Sequence, residues 1–155
     1  MAVKPIPEGY HAITPYLAVD DAARAIDFYK QAFGAKERMR MPAPEGKIGH
    51  AELEIGDSLL MLADSFPQST SKPPAELGGT SAVFFIYVED VDSVVQQAVD
   101  AGATLDSPVE DMFWGDRSGR ITDPFGHPWQ LATHVEDVPP DQMAERAKEA
   151  MASMS

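Results

Sequence analysis

The sequence predicts an α+β fold built from two tandem β-α-β-β-β modules. A weak internal repeat carries this prediction, because the segment beginning at Tyr16 (YLAVDDAARAIDFYKQAFGA) resembles the one beginning at Phe85 (FIYVEDVDSVVQQAVDAGA). Each segment has a short apolar strand, an acidic turn and an amphipathic helix that ends at a glycine. Three landmarks recur at offsets of 68 to 70 residues, which indicates a duplication. The matched pairs are Val19 and Val88, Gly34 and Gly102, and Gly56 and Gly126.

The helix of each module is predicted from the spacing of its apolar residues, which recur at i, i+3, i+4 and i+7. Asp21 and Asp90 precede these helices and are expected to accept hydrogen bonds from the first free amides. Gly34 and Gly102 are expected to end them in the left-handed conformation. The apolar stripes are Ala22, Ala25, Ile26, Tyr29 and Phe33 in the first helix, and Val91, Val94, Val95, Ala98 and Val99 in the second.

Strand signals follow each helix. In the first module, residues 50–55 (HAELEI) alternate between polar and apolar, turn at Gly56-Asp57 and return through residues 59–62. In the second module, residues 119–122 lead through the turn DPFG, which suits a type I turn, to residues 129–132. The predicted divisions are 10–65 for the first module, 66–80 for a Pro/Ser/Gly-rich linker, 81–134 for the second module and 135–155 for a tail.

The tail is predicted to form a helix that opens at Pro139-Pro140. Met143, Ala147, Ala150, Met151 and Met154 recur along one side of it. Two interpretations stay open. The helix is a weak, fraying terminus, or its adaptable methionines pack against a second copy of the chain.

Composition excludes several classes of partner. The 155 residues include 12 Lys+Arg and 25 Asp+Glu, for a formal net charge of -13, so nucleic acids and anionic membrane surfaces are disfavoured. Cysteine is absent, which excludes disulfides, thiolate metal ligands and a cysteine nucleophile. The apolar runs fall far short of the roughly 20 residues that a membrane helix needs, and no signal peptide is recognisable. We expect a soluble cytoplasmic protein.

Three strings resemble the vicinal-oxygen-chelate superfamily, which includes glyoxalase I, bleomycin-resistance proteins and extradiol dioxygenases. They are VDDAARAIDFYKQAFGA, GHAELEIGDSLLMLAD and ITDPFGHPWQLATHVEDV. The last is most similar to the PhnB-like branch. The resemblance covers roughly residues 10–138. It implies that each module curls its strands into a half-open cup, that the cup holds a ligand, and that the protein is a homodimer.

The resemblance also implies one divalent metal ion, held by His and Glu on the first and last strands of the modules. The corresponding positions here are Thr14, Glu52, Val83 and Gln130. Because one carboxylate does not hold a transition metal, we expect no catalytic metal. An alternative is a relocated site around His50 and Glu52, which share one face of a strand. Further histidines close to the first and last strands are His11, His127 and His134.

An unusual segment, MFWGDR at residues 112–117, is a candidate for ligand binding. Phe113 and Trp114 are expected to cover an apolar ligand, and Arg117 to hold an anionic group through its planar fork. The alternative is that Trp114 fills the core and Asp116 pairs with Arg117.

Glu52 and Gln130 are also predicted to line the cup. A carboxyl group in a dry cavity takes up protons more readily, so Glu52 is the candidate catalytic base, with a raised pKa.

Three functions follow from these residues. The first is a small-molecule binding protein of bleomycin-resistance type that needs no metal. The second is a metal-dependent lyase, isomerase or dioxygenase of glyoxalase type with relocated ligands. The third is a non-catalytic structural or regulatory dimer.

Overall fold

The structure is a computed structural model that describes residues 2–154. The chain divides into two units. The first runs to Ser81 and includes the short segment Pro124–His127, and the second comprises Ala82–Asp123 and the chain from Pro128 onward. Among the described residues, no helix has the length and apolar character needed to cross a membrane.

The first unit contains a four-stranded mixed sheet in the order β1-β4-β3-β2, with β1 parallel to β4 and the other pairs antiparallel. The helix α1 lies between β1 and β2 in the chain, so the predicted β-α-β-β-β order is confirmed. A four-residue helix, α2, lies in the linker. The elements are β1 (Tyr16–Val19), α1 (Ala22–Phe33), β2 (Lys36–Pro42), β3 (Ile48–Ile55), β4 (Ser58–Asp64) and α2 (Pro74–Leu77).

The second unit repeats this arrangement in the order β5-β8-β7-β6, with β5 parallel to β8. Both sheets are open. The elements are β5 (Phe84–Tyr87), α3 (Val91–Asp100), β6 (Thr104–Asp111), β7 (Asp116–Thr122), β8 (Pro128–His134) and the C-terminal helix α4 (Pro140–Ala152). The helix predicted in the tail is therefore present.

Both helices begin and end at the predicted capping residues. Asp21 accepts a hydrogen bond from the Arg24 amide, and Asp90 accepts one from the Ser93 amide. Gly34 ends α1 in the left-handed conformation, at φ 68°. Gly102 follows the last turn of α3 with a positive φ of 122°, and its amide donates to the Val99 carbonyl while the Ala103 amide donates to the Ala98 carbonyl, so the predicted glycine stop is confirmed there too.

One polar side chain, buried in the first unit and partly buried in the second, anchors each helix to the last strand of its module. In the first unit, the Asp64 carboxylate accepts hydrogen bonds from the Ala22 amide at 2.9 Å and the Ile48 amide at 2.7 Å. In the second unit, the Thr133 hydroxyl accepts one from the Val91 amide at 2.9 Å. Asp64 and Thr133 stand 69 positions apart, at the offset of the repeat. These contacts fix each helix against one face of its sheet.

The opposite face of the first sheet is left open. Leu17, Leu62 and Ala51 point to the buried side, and their neighbours point to the other side because strand residues alternate. Strand pairing places one row of four residues across this open face. The row is Tyr16, Met61, Glu52 and Met39, one from each strand in sheet order.

We predict that Asp64→Ala destabilises the first unit, because the substitution leaves two buried amides without an acceptor. Each such amide costs about 1–3 kcal/mol, so the free energy of unfolding should fall by about 2–6 kcal/mol in urea titrations. The control is Asp57→Ala in the exposed β3–β4 turn, where the carboxylate accepts a hydrogen bond from the neighbouring Ser58 hydroxyl. Equal losses in the two variants would contradict the anchoring role.

Candidate functional site

A cavity of about 360 Å³ lies in the first unit, between the open sheet face and the N-terminal arm (residues 5–12). Tyr10, His11, Thr14 and Glu52 give it polar groups, of which Glu52 comes from β3. Its apolar lining consists of Pro5, Ile6, Pro7, Ala12 and Met61. An apolar cavity with a few convergent polar groups is typical of a small-molecule site.

Glu52 stands at the centre of a hydrogen-bonded chain of four side chains. The Tyr10 hydroxyl donates to Glu52 Oε1, and His50 Nε2 lies 2.9 Å from Glu52 Oε2. The Tyr16 hydroxyl lies 2.7 Å from His50 Nδ1. A carboxylate only accepts, so Nε2 carries the proton, and in a neutral ring Nδ1 accepts from Tyr16. These hydrogen bonds connect the N-terminal arm to β3 and β1.

These hydrogen bonds contradict the prediction that the pKa of Glu52 is raised. Hydrogen bonds from Tyr10 and then from His50 lower the pKa of Glu52, and they outweigh the partial burial that raises it. Conversely, burial and the bond to Glu52 raise the pKa of Tyr10. The expectation of a raised pKa was wrong because it assumed a dry cup without donors. Glu52 is therefore held as a carboxylate, which makes it a weak base but a fixed negative charge.

The strand assignment of Glu52 also needs correction. It lies on β3, the third strand of its module, and the last strand β4 places Met61 beside it in register. The strand β2, which precedes β3, is exposed at nearly every position and lacks an alternating burial pattern. Thr14 lies before β1, and Val83 lies before β5.

The donors do not fit the divalent ion that the resemblance implies. His50 and Glu52 are within hydrogen-bond distance of each other, and the next strand offers the thioether of Met61. Among residues 2–154, no group of three or more His, Asp or Glu side chains is placed to hold a metal ion. Protein sites for transition metals use three or four such ligands. Of the remaining histidines, His127 Nε2 bonds to the Ala18 carbonyl oxygen, at 2.9 Å.

The other predicted site residues lie in the second unit, and each has an internal partner. Trp114 Nε1 donates to Asp116, and Phe113 packs edge-on against the Trp114 ring. Arg117 donates to Asp92 and Asp111, not to Asp116, so the proposed Asp116–Arg117 pair was wrong. Gln130 donates to Ser118 at 2.7 Å. Their binding role stays a prediction, as does a cup shared by Glu52 and Gln130.

Asp116 forms a second cluster that the sequence analysis missed. Its carboxylate is 1% exposed and accepts hydrogen bonds from Tyr87, Trp114 and His134, each at 2.9 Å. Burial alone would raise the pKa of Asp116, but these three donors lower it. His134 also forms a hydrogen bond to Asp137 at 2.7 Å. The hydrogen bonds to Asp137 and, with a smaller effect, to Asp116 raise the pKa of His134.

The C-terminal helix is connected to this cluster through Arg146. Its guanidinium makes a paired contact with Glu136, at 2.8 and 2.9 Å, and donates to the Phe113 carbonyl. Gly115, in the turn between β6 and β7, has φ 102°, and an added Cβ would lie 2.1 Å from the Glu136 carbonyl oxygen. The turn and the tail therefore pack closely enough to require glycine.

Comparison with known proteins identifies the superfamily of this chain. The profile of the Glyoxalase/Bleomycin resistance protein/Dioxygenase superfamily matches residues 10–131, and the chain belongs to this superfamily. The Mycobacterium tuberculosis protein Rv0887c is 47% identical over 135 residues, which cover 85% of this chain and 79% of that one.

Solved structures agree with this family. TioX from Micromonospora sp. ML1 has a TM-score of 0.65 and 31% identity, over 81% of this chain and 99% of that chain. The Arabidopsis thaliana At5g48480 gene product has a TM-score of 0.64 and 30% identity, over 79% and 98%.

We predict that the stabilising contribution of His134 depends on pH. Because the folded-state pKa of His134 is raised, this contribution is complete below the unfolded value of about 6.5 and is lost as pH rises through the folded value. The melting temperature of His134→Gln should therefore lie further below wild type at pH 6 than at pH 9.5. His11→Gln, outside this cluster, is the control. If the difference in melting temperature between wild type and His134→Gln is the same at both pH values, the protonated His134 does not stabilise the fold through its two carboxylates.

Proposed function

We propose that this protein binds a small organic molecule in the cavity of the first unit and that binding needs no catalytic metal. The observation that carries the proposal is the combination of an apolar cavity with the hydrogen-bonded Glu52 at its sheet wall. We also propose that the chain belongs to the PhnB-like branch, on the string DPFGHPWQLATH.

The geometry of the cavity supports this function. Its volume of about 360 Å³ lies within the roughly 300–1,000 Å³ of small-molecule sites. Glu52 is fixed by partners on two elements, so its orientation is set before a ligand arrives, which reduces the ordering cost of binding. Superfamily membership agrees with the bleomycin-resistance type of function.

We further propose that the protein is a homodimer. Phe85 and Tyr87 on the edge strand β5 are 49% and 60% exposed, and their rings pack against each other at 5.1 Å. Large apolar side chains grouped on an exposed edge favour association.

We predict that a panel of metabolites and antibiotics contains compounds that raise the melting temperature in the presence of a chelator, because a ligand stabilises the folded state by mass action. Met61→Trp should remove the shift, since the indole fills the cavity. The control is Met41→Trp on β2, a half-exposed methionine that does not line the cavity.

Two outcomes would replace this function. Turnover that the chelator abolishes favours the metal-dependent lyase or isomerase. No thermal response to the whole panel favours the structural or regulatory dimer.

For the dimer, we predict a mass of twice 16.8 kDa by size-exclusion chromatography with light scattering. The substitution Phe85→Glu should shift the equilibrium toward the monomer, because it places a charge on the apolar edge. Glu89→Gln, in the loop after β5, is the control. A monomeric wild type at high concentration overturns the dimer and leaves the cavity function untouched.

A further inference from the structure

The carboxylate of Glu52 brings a negative charge to the cavity, and within the described part of the chain no Lys or Arg side chain neutralises it by direct contact. Among residues 2–154, its ion-pair contact is with His50, which bears charge only when protonated. The hydrogen bonds from Tyr10 and His50 each occupy one acceptor position. A carboxylate has about four such positions, so about two remain for a ligand.

The guanidinium of Arg38, whose charge acts on Glu52, does not take these positions. Arg38 lies over the Tyr10 ring at 5.7 Å from the centroid, and its positive charge contributes to the low pKa of Glu52 without an ion pair. No Lys or Arg in the described chain lines the cavity. A ligand therefore meets a fixed negative charge at the sheet wall and apolar groups on the arm.

We propose that the cavity takes an organic cation, namely an apolar molecule that carries one ammonium or amidinium group. The cationic group would donate to Glu52, and the apolar body would contact Ile6, Ala12 and Met61. A charge-assisted hydrogen bond to a partly buried carboxylate is about twice as strong as a neutral one, so the cation gains most from this site. The net charge of -13 also raises the local concentration of cations around the protein.

This inference rests on the proposed function, and the test separates the two. Three probes share one phenyl body and differ in charge: 2-phenylethylamine, 2-phenylethanol and 3-phenylpropionate. Each is titrated at millimolar concentration into the full-length protein, and binding is followed by backbone amide shifts of the N-terminal arm and of β3. We expect the amine to bind at least tenfold more tightly than the alcohol, and the carboxylate more weakly than both.

Two variants locate the effect. Glu52→Gln keeps an acceptor for Tyr10 but removes the charge, so the amine and the alcohol should bind equally. Glu54→Gln removes a carboxylate from the same face of the same strand, two residues further on, and Glu54 is exposed outside the cavity lining. The preference for the amine should survive that change.

The outcomes divide as follows. Equal affinity of wild type for the amine and the alcohol overturns the cation proposal and leaves small-molecule binding intact, and this comparison decides the matter even if Glu52→Gln does not fold. A preference that Glu52→Gln retains also overturns it. Absence of any shift in the arm or β3 with all three probes overturns the cation proposal, and the thermal response to the metabolite and antibiotic panel then decides the binding function separately.

Discussion

The architecture depends on one polar contact per module, between the end of the last strand and the first turn of the helix. Asp64 makes it in the first unit and Thr133 in the second. Because this contact holds the helix on one face of the sheet, that face becomes the core. The other face keeps its side chains available, and alternation along the strands decides which residues those are. A helix anchor thus determines where a ligand site can form.

On the open face of the first sheet, the decisive group is a carboxylate stabilised by donors from distant segments. Tyr10 lies 42 residues from Glu52 in the chain, and its hydroxyl reaches the carboxylate from the N-terminal arm. A partly buried charge is costly without such donors. With them it stays ionised, so the arm both closes the cavity and sets its charge. The arm therefore belongs to the site although it contains no strand or helix.

The sequence predicted those features that local spacing encodes. The periodicity of apolar residues predicted both helices, and Asp21 and Asp90 were correctly predicted as their N-caps. The spacing of His50 and Glu52 predicted that they share one face of a strand, and the 2.9 Å contact between their side chains confirms it. It did not predict the role of Tyr10, because nothing near Tyr10 in the chain indicates its partner. The predicted direction of the Glu52 pKa shift was wrong for the same reason, because the direction depends on the hydrogen bond from Tyr10.

The two modules share a fold but not a site chemistry. Strand pairing places Tyr16, Met61 and Glu52 in one row of the first sheet. The equivalent row of the second sheet holds Phe85, Gln130 and Arg120. An aromatic ring stands on the first strand in both rows, but the third strand carries a carboxylate in one and a guanidinium in the other. The two rows therefore carry opposite charges at equivalent positions, so the repeat keeps the scaffold and inverts the charge on its third strand.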